Sequence, residues 1–223
     1  MIRNKLSQSE VDKLISVEKV FARPTVYGHG KNDVNFQSYV GRKGVWQYVL
    51  WTAMLKRCFC EKEKLRYPTY QDVTCCSEWL SFANFFEWVN KEVGYKGKPQ
   101  GYCLDKDLVI RGNKIYSPET CSFVPRFVNT LLLDSGKARG EWPVGVTFHR
   151  KSAKFIAALK DNRDSVHLGS FDTPEEAFVC YKAAKESRIK LVAMQYRHLL
   201  RPDVYSSLMS WEILDEIALT SAF

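Results

Sequence analysis

The sequence predicts an α+β fold with two modules, and three observations support this prediction. Residues 45–93 are rich in aromatic side chains at helical spacing. Residues 144–171 alternate between apolar and polar side chains in three short runs, which is typical of antiparallel strands. The signal for a capped helix follows at Thr173. A stretch of linker composition, DSGKARGEWP at 134–143, divides the two regions.

A short N-terminal element, residues 1–30, precedes the first module. Residues 8–20 have the apolar spacing of an amphipathic helix, and the two glycines at 28 and 30 indicate a turn. His29 in that turn is expected to be exposed and not to be a catalyst. No run approaches the roughly 18 apolar residues of a membrane span, and the N-terminus is too polar for a signal peptide. We therefore expect an intracellular protein without a membrane partner.

The first module is predicted over residues 31–135, and its first half is helical. A stripe at helical spacing predicts a buried helix face. The stripe consists of Trp79, Phe82, Phe86 and Val89. Lys56 and Arg57, on the flank of the preceding helix, are placed to meet phosphate. The seven cysteines include no Cys-x-x-Cys pair, so free thiols are favoured over a zinc site.

The second module is predicted over residues 141–200 as a three-stranded antiparallel sheet packed on one helix. The apolar face of the sheet should carry Val144, Val146, Phe148, Phe155, Ala157, Leu159, Val166, Leu168 and, as a further candidate, Ser170. Thr173 and Glu176 complete a capping box, with Pro174 at the first helical position. The helix should bury Ala177, Cys180, Tyr181, Ala184 and Leu191, because a lone three-stranded sheet would be unstable.

The opposite face of the predicted sheet carries cations, hydroxyls and small apolar groups but no carboxylate. It comprises Thr147, His149, Lys154, Ile156, Ala158, Lys160, Ser165 and His167, and the turns add Arg150, Lys151 and Arg163. Such a surface can form hydrogen bonds with base edges and contact thymine methyl groups, while the Lys and Arg side chains bind phosphates.

Charge is distributed unevenly along the chain. The net charge is +8, and residues 202–223 contain four acidic side chains and no basic one, so the first 201 residues carry +12. A basic protein of this size suggests a polyanionic partner, although surplus surface lysine explains the total equally well. Residues 201–223 are expected to form an acidic C-terminal tail.

Residues 145–185, GVTFHRKSAKFIAALKDNRDSVHLGSFDTPEEAFVCYKAAK, resemble the Apetala-two, or plant ethylene-response-factor, DNA-binding domain. The resemblance rests on the opening Gly-Val, the Lys-Phe-x-Ala run and the Leu-Gly-x-Phe-x-Thr-x-Glu-Glu-Ala segment. It implies a sheet laid into the major groove of double-stranded DNA. The plant domains present several Arg and Trp side chains on this face. Because this chain has other residues there, we do not expect it to share their target sequence.

Residues 104–125, LDKDLVIRGNKIYSPETCSFVP, resemble the motif D-H-x-D…N…P-E-N-L-R-x-V of phage HNH homing endonucleases. The resemblance implies a ββα nuclease module that hydrolyses phosphodiester bonds with a divalent metal, for which magnesium is favoured. Asp105 and Asp107 would be metal ligands, and Asp105, Lys106 and Asn113 the catalytic residues. Lys106 or Lys114 would contact phosphate, and the helix of the module is expected to begin at Ser117-Pro118. A phage-encoded protein would act in the host cytoplasm.

Two substitutions separate this chain from the HNH pattern. Lys106 stands where the family has its general-base histidine, and Thr120 where it has the distal ligand. A lysine protonated at neutral pH is a poor base. Three hypotheses follow: a metal-dependent DNA endonuclease, a non-catalytic sequence-preferring DNA-binding protein with a degenerate nuclease module, and a protein-binding factor that docks through its acidic tail. Asp105-Lys106-Asp107 is also compatible with a plain solvated hairpin.

Overall fold

The computed structural model describes residues 25–40, 43–93, 101–132, 141–161 and 164–213 of the 223-residue chain. It has the predicted mixture of helix and sheet, including a three-stranded antiparallel sheet. The chain divides into two compact units, and the division lies between Pro125 and Arg126. The division therefore comes before the predicted linker, most of which lies outside the described residues. The helix predicted over residues 8–20 also lies outside them.

The described part of the first unit contains helices joined to three pairs of short strands. The α-helices are α1 (Trp46–Phe59), α2 (Glu61–Arg66) and α3 (Phe82–Val93), and short 3-10 helices occupy Pro68–Tyr70 and Ser77–Leu80. The antiparallel pairs are β1 (Tyr39–Val40) with β2 (Lys43–Gly44) and β4 (Tyr102–Asp105) with β6 (Ser122–Pro125). The parallel pair is β3 (Thr74–Cys75) with β5 (Ile115–Tyr116).

Aromatic side chains fill the core of the first unit, as the helical stripe predicted. Of that stripe, Trp79, Phe82 and Val89 are buried, and Phe86 packs against them half-buried. Phe85, which the stripe omitted, is also fully buried. The buried residues of α3 therefore lie on more than one side of the helix, because aromatic rings are large enough to contact the core from neighbouring helical positions.

Strands β4, β5 and β6 are anchored in this aromatic core through Leu104, Tyr116 and Phe123. Phe123 of β6 stacks on Trp88 of α3 with ring centroids 5.9 Å apart. Trp51 in α1 donates a 2.7 Å hydrogen bond through Nε1 to the carbonyl of Trp79, so the polar atom of a fully buried ring has a partner. The rigid core thus fixes the position of the loop between β4 and β5.

The prediction that a helix begins at Ser117-Pro118 is wrong. Residues 118–120 form a turn, and β6 follows it and pairs with β4. All four residues of β6 are buried, so the strand is packed on both faces. Its two central residues, Phe123 and Val124, are of types that favour extended backbone. A helix begins only at the next residue, as α4 (Arg126–Leu132) in the second unit.

The second unit is built on the predicted sheet and helix. Strands β7 (Val146–His149), β8 (Lys154–Asp161) and β9 (Asp164–Phe171) lie in that order, each antiparallel to the next. Helix α5 (Pro174–Gln195) packs on one face, and the capping box is confirmed. The Thr173 hydroxyl accepts a 3.2 Å bond from the Glu176 N–H, and the Glu176 carboxylate accepts from the Thr173 N–H at 3.4 Å.

The prediction that Leu191 belongs to the buried stripe of α5 is wrong, because this side chain is 56% exposed. Ala177 and Tyr181 are buried as predicted, and Phe178, which was not predicted, is buried with them. The sheet covers only the first part of this long helix. Further along, a different side of the helix becomes buried, so the original spacing points Leu191 outward.

Helix α6 (Pro202–Met209) contacts α5. Val204 and Leu208 of α6 are buried, so the start of the predicted acidic tail is packed. Residues 214–223 of the tail lie outside the described residues. Within the described ranges, we find no helix with both the length and the apolar character needed to cross a membrane.

Candidate functional site

The side of the sheet away from α5 forms a continuous surface, which we call the exposed sheet face. Its members are Thr147, His149, Lys154, Ile156, Ala158, Lys160, Ser165, His167 and Ser170. The register pairs Thr147 with Ile156, His149 with Lys154, Ala158 with His167, and Lys160 with Ser165. All eight residues predicted for this face are therefore brought together, and none of the nine members is acidic.

Ser170 lies on the exposed sheet face and not on the apolar face for which it was a candidate. A β-bulge between Ala157 and Ala158 shifts the register, so that Gly169 pairs with Ala157 whereas His167 pairs with Ala158. One residue of β9, Leu168, has no partner across the ladder and packs against the apolar core. Simple alternation cannot anticipate such an extra residue.

The cations predicted to bind phosphate lie at the edges of the exposed sheet face. Arg150 and Lys151 are exposed in the turn between β7 and β8, and Lys160 is exposed near the other end of β8. Arg163, which was predicted with them, lies outside the described residues. The cationic groups therefore border a centre of small neutral side chains.

Two members of the exposed sheet face have local partners. The Lys154 ammonium forms a 2.5 Å ion pair with Asp172, which follows β9. The His149 Nδ1 atom lies 2.8 Å from the Ser152 hydroxyl. Asp172, which the sequence did not single out, thus neutralises one of the cations expected to face DNA.

The second candidate site is the loop of residues 105–115, which we call the Asp105 loop. Asp105 ends β4, and its Oδ1 accepts hydrogen bonds from the backbone N–H groups of Asp107 and Leu108 at 3.0 and 2.8 Å. These bonds fold the backbone back on itself. They also bring the Asp107 carboxyl near that of Asp105, so that the charge of Asp107 acts on Asp105.

The Asp105 carboxyl titrates abnormally. Burial, and after it the neighbouring negative charge of Asp107, raise its pKa to about 6, while the two backbone N–H donors act in the opposite direction. A raised pKa in a carboxyl pair is a feature of functional sites, although structural clusters also produce it.

Lys106 and Asn113 hold the Asp105 loop together. The Lys106 side chain is almost fully buried, and its Nζ donates to Asp107 Oδ2 and to the Asn113 carbonyl, both at 3.0 Å. Asn113 Nδ2 donates to the carbonyls of Lys106 and Ile115, both at 2.7 Å. The structure therefore places the ammonium group inside the loop, and Asn113 bonds two carbonyls of the loop backbone.

A tyrosine beneath the loop was missed from the sequence. Tyr116 is buried, with Lys106 Nζ 6.0 Å from its ring centroid, and its hydroxyl accepts a 3.0 Å bond from Arg57. Burial raises the pKa of Tyr116 to about 12 despite the nearby guanidinium. The other cation of α1 expected to meet phosphate, Lys56, is paired with Glu63 at 2.5 Å. No spacing rule links positions as distant in sequence as Arg57 and Tyr116.

Magnesium commonly uses one or two protein carboxylates together with water ligands and a substrate phosphate. Asp105 Oδ1 already accepts two backbone N–H bonds, and Asp107 Oδ2 accepts the Lys106 ammonium. In the part of the chain that the structure describes, no group of three or more His, Cys, Asp or Glu side chains could hold a metal. Thr120, at the position of the family's distal ligand, donates to the Ile115 carbonyl at 2.9 Å. His29 stacks on Phe59 with ring centroids 4.1 Å apart.

Comparison with protein families, curated proteins and solved structures finds no match for this chain. The resemblances to the Apetala-two domain and to the HNH endonucleases therefore stay predictions.

Proposed function

We propose that the protein binds double-stranded DNA through the exposed sheet face. The observation that carries this proposal is a sheet face of nine residues without a carboxylate, which includes Lys160 and adjoins the exposed Arg150 and Lys151 of the turn. Hydroxyl, imidazole and methyl groups occupy its centre and suit base edges, while the bordering cations suit phosphates. The overall charge of +8 also favours association with a polyanion such as DNA.

Salt dependence of binding tests the contribution of the bordering cations. Affinity for a mixed-sequence duplex is measured by fluorescence anisotropy over a range of salt concentrations. Each phosphate that a cation neutralises contributes about −0.9 to the slope of log K against log salt. The double variant Arg150→Gln/Lys151→Gln should therefore lose roughly two units of slope. Lys62→Gln/Lys91→Gln, which removes two exposed cations of the first unit, is the matched control and should keep the slope.

Absence of duplex binding at low salt would overturn the proposal and favour the protein-binding hypothesis. An equal loss of slope in both double variants would also contradict it, because the attraction would then come from overall charge and not from this face.

A second candidate function is metal-dependent hydrolysis of phosphodiester bonds at the Asp105 loop. It is favoured by the two adjacent carboxyls, by the raised pKa of Asp105 and by the bracing of the loop through Asn113. Asp105 and Asp107 would hold the ion, which would supply charge stabilisation for the phosphodiester and activate a water molecule. Lys106 would keep the Asp107 carboxylate oriented through their 3.0 Å ion pair.

A nicking assay on supercoiled plasmid pools with Mg²⁺ or Mn²⁺ separates the two functions. An endonuclease should nick only with metal, and Asp105→Asn should abolish nicking while duplex affinity is retained. If the native protein binds duplex DNA but cuts none with either metal, the non-catalytic DNA-binding hypothesis is the correct one. An Asp105→Asn variant that still nicks would place the chemistry elsewhere.

A further inference from the structure

The centre of the exposed sheet face has an unusual chemical composition for a face that binds DNA. Two apolar side chains, Ile156 and Ala158, lie half-buried on the middle strand, on the side away from α5. Antiparallel sheets with one covered face normally present polar side chains on the other. Among the described residues, neither side chain is part of the two aromatic and apolar clusters that form the cores of the units, and polar residues of the neighbouring strands border them.

The side chains that usually recognise guanine and cytosine are missing from this centre. Guanine is most often bound by a bidentate Arg or Lys, and cytosine by a carboxylate that accepts from its amino group. The lysines of this face, Lys154 and Lys160, lie towards the two ends of β8, and Lys154 is paired with Asp172. The nine members include neither Arg, Asp nor Glu.

The groups that remain suit a methyl group in the major groove. The C5-methyl of thymine is contacted by apolar side chains and by the methyl of threonine. Thr147 pairs directly across from Ile156, and Ala158 follows two residues along β8, so three methyl-bearing side chains adjoin one another. Residues two apart on one face of a strand are about 7 Å apart, which spans about two base steps of 3.4 Å.

The β-bulge determines which polar side chains of β9 lie next to Ile156 and Ala158. It places His167 directly beside Ala158, and Ser170 beside Ile156. Each apolar side chain therefore has a hydrogen-bonding group next to it, which can bind the polar edge of the base whose methyl is contacted. Bulges commonly re-aim side chains in this way.

We propose that the exposed sheet face recognises C5-methyl groups of pyrimidines in the major groove, with Ile156 and Ala158 as the specificity-determining residues. The proposal rests on the proposed DNA-binding function and names the feature of the duplex that it prefers. A·T-rich duplexes are then the natural ligands, and cytosine methylated at C5 is a substitute for thymine.

Base analogues test this proposal directly, because they change the methyl group alone. Short duplexes of equal length are compared by anisotropy at about 50 mM salt, where phosphate contacts are strong. They are an A·T-rich duplex, the same duplex with deoxyuridine for thymidine, a G·C-rich duplex, and that duplex with 5-methylcytosine. Burial of one methyl group corresponds to roughly a fourfold change in affinity. With two methyls contacted, the uracil duplex should bind about fifteenfold more weakly than its thymine parent, and 5-methylcytosine should tighten binding to the G·C duplex.

The variant Ile156→Ser should reduce the ratio of thymine to uracil affinity about fourfold. Val179→Ser, which changes a 66% exposed side chain on α5, is the matched control and should leave the ratio unchanged. The comparison of analogues on the native protein does not depend on whether either variant folds.

The outcomes distinguish a failure of methyl recognition from a failure of DNA binding. Equal affinity for the thymine and uracil duplexes would overturn methyl recognition and leave DNA binding intact. Tighter binding of the unmethylated G·C duplex than of its 5-methylcytosine form would do the same. Failure to bind all four duplexes would overturn the proposed DNA-binding function, and methyl recognition with it.

Discussion

Replacing Asp105 by asparagine should stabilise the protein above about pH 6. The Asp105 carboxyl accepts backbone N–H groups at 3.0 and 2.8 Å through Oδ1. The carbonyl oxygen of asparagine can accept both bonds, so the fold of the loop is retained. The substitution removes only the charge, whose burial and whose repulsion by Asp107 raise the pKa to about 6.

The size and sign of the effect follow from the pKa. Because the carboxyl has a pKa of about 6 in the folded protein and an ordinary value of 3.8, the folded state favours the protonated form. The penalty for ionisation is absent below about pH 4, develops as the pH rises towards 6, and is complete above it. At about 1.4 kcal/mol for each pH unit between the two values, the full penalty is about 2–3 kcal/mol.

Urea unfolding at about pH 4 and about pH 8 measures this difference. Asp105→Asn should match the native protein at the lower pH and gain about 2–3 kcal/mol in free energy of unfolding at the higher one. Asp107→Asn is the control, because it deprives the buried Lys106 ammonium of its anion and should destabilise the protein at the higher pH. A stability difference for Asp105→Asn that stays constant between the two pH values would refute the reasoning.

Three further predictions test the local structure. Gly145→Ala should cost about 2–3 kcal/mol in urea unfolding, because φ is +76° and an added Cβ would overlap the Tyr181 ring, whereas Gly28→Ala, at φ +77° in open space, should cost about 1 kcal/mol. Thr173→Ala should lower the free energy of unfolding by about 1 kcal/mol through loss of the cap, and Thr173→Ser should restore it. Asn113→Ala should cost about 2 kcal/mol and speed hydrogen exchange in the Asp105 loop, since the Lys106 carbonyl loses the Asn113 donor and the Ile115 carbonyl retains Thr120 but not Asn113. Unchanged exchange would contradict the bracing role of Asn113.

The second unit was the more predictable of the two from sequence. Period-two alternation identified the three strands, and Thr173 and Glu176 identified the start of α5, because both signals depend on neighbouring residues. The eight residues predicted for the exposed sheet face were grouped correctly for the same reason. Ser170 was misplaced because of a bulge, and Leu191 because the buried side of α5 changes along the helix; tertiary contacts set both features.

The Asp105 loop was less predictable. Asn113 was singled out from the sequence, and it bonds two carbonyls of the loop. The Ser-Pro signal, however, favoured a helix where the chain forms a turn and the short strand β6. Backbone pairing with β4 and burial on both faces favour the strand, and neither is visible in a local window of sequence. The contacts of Lys106 with Asp107 and of Arg57 with Tyr116 likewise require the folded chain.

The unpaired residue of β9 has a consequence for how this strand can vary in length. The unpaired residue is Leu168. The residue after it, Gly169, pairs with Ala157, and the residue before it, His167, pairs with Ala158, so the two segments of the strand already pair with consecutive residues of β8. Removal of Leu168 would join them into a regular ladder in which every remaining side chain keeps its present side. A single-codon deletion at this position would thus sacrifice one apolar contact without inverting the surface, whereas the same deletion elsewhere in β9 would turn part of the strand over.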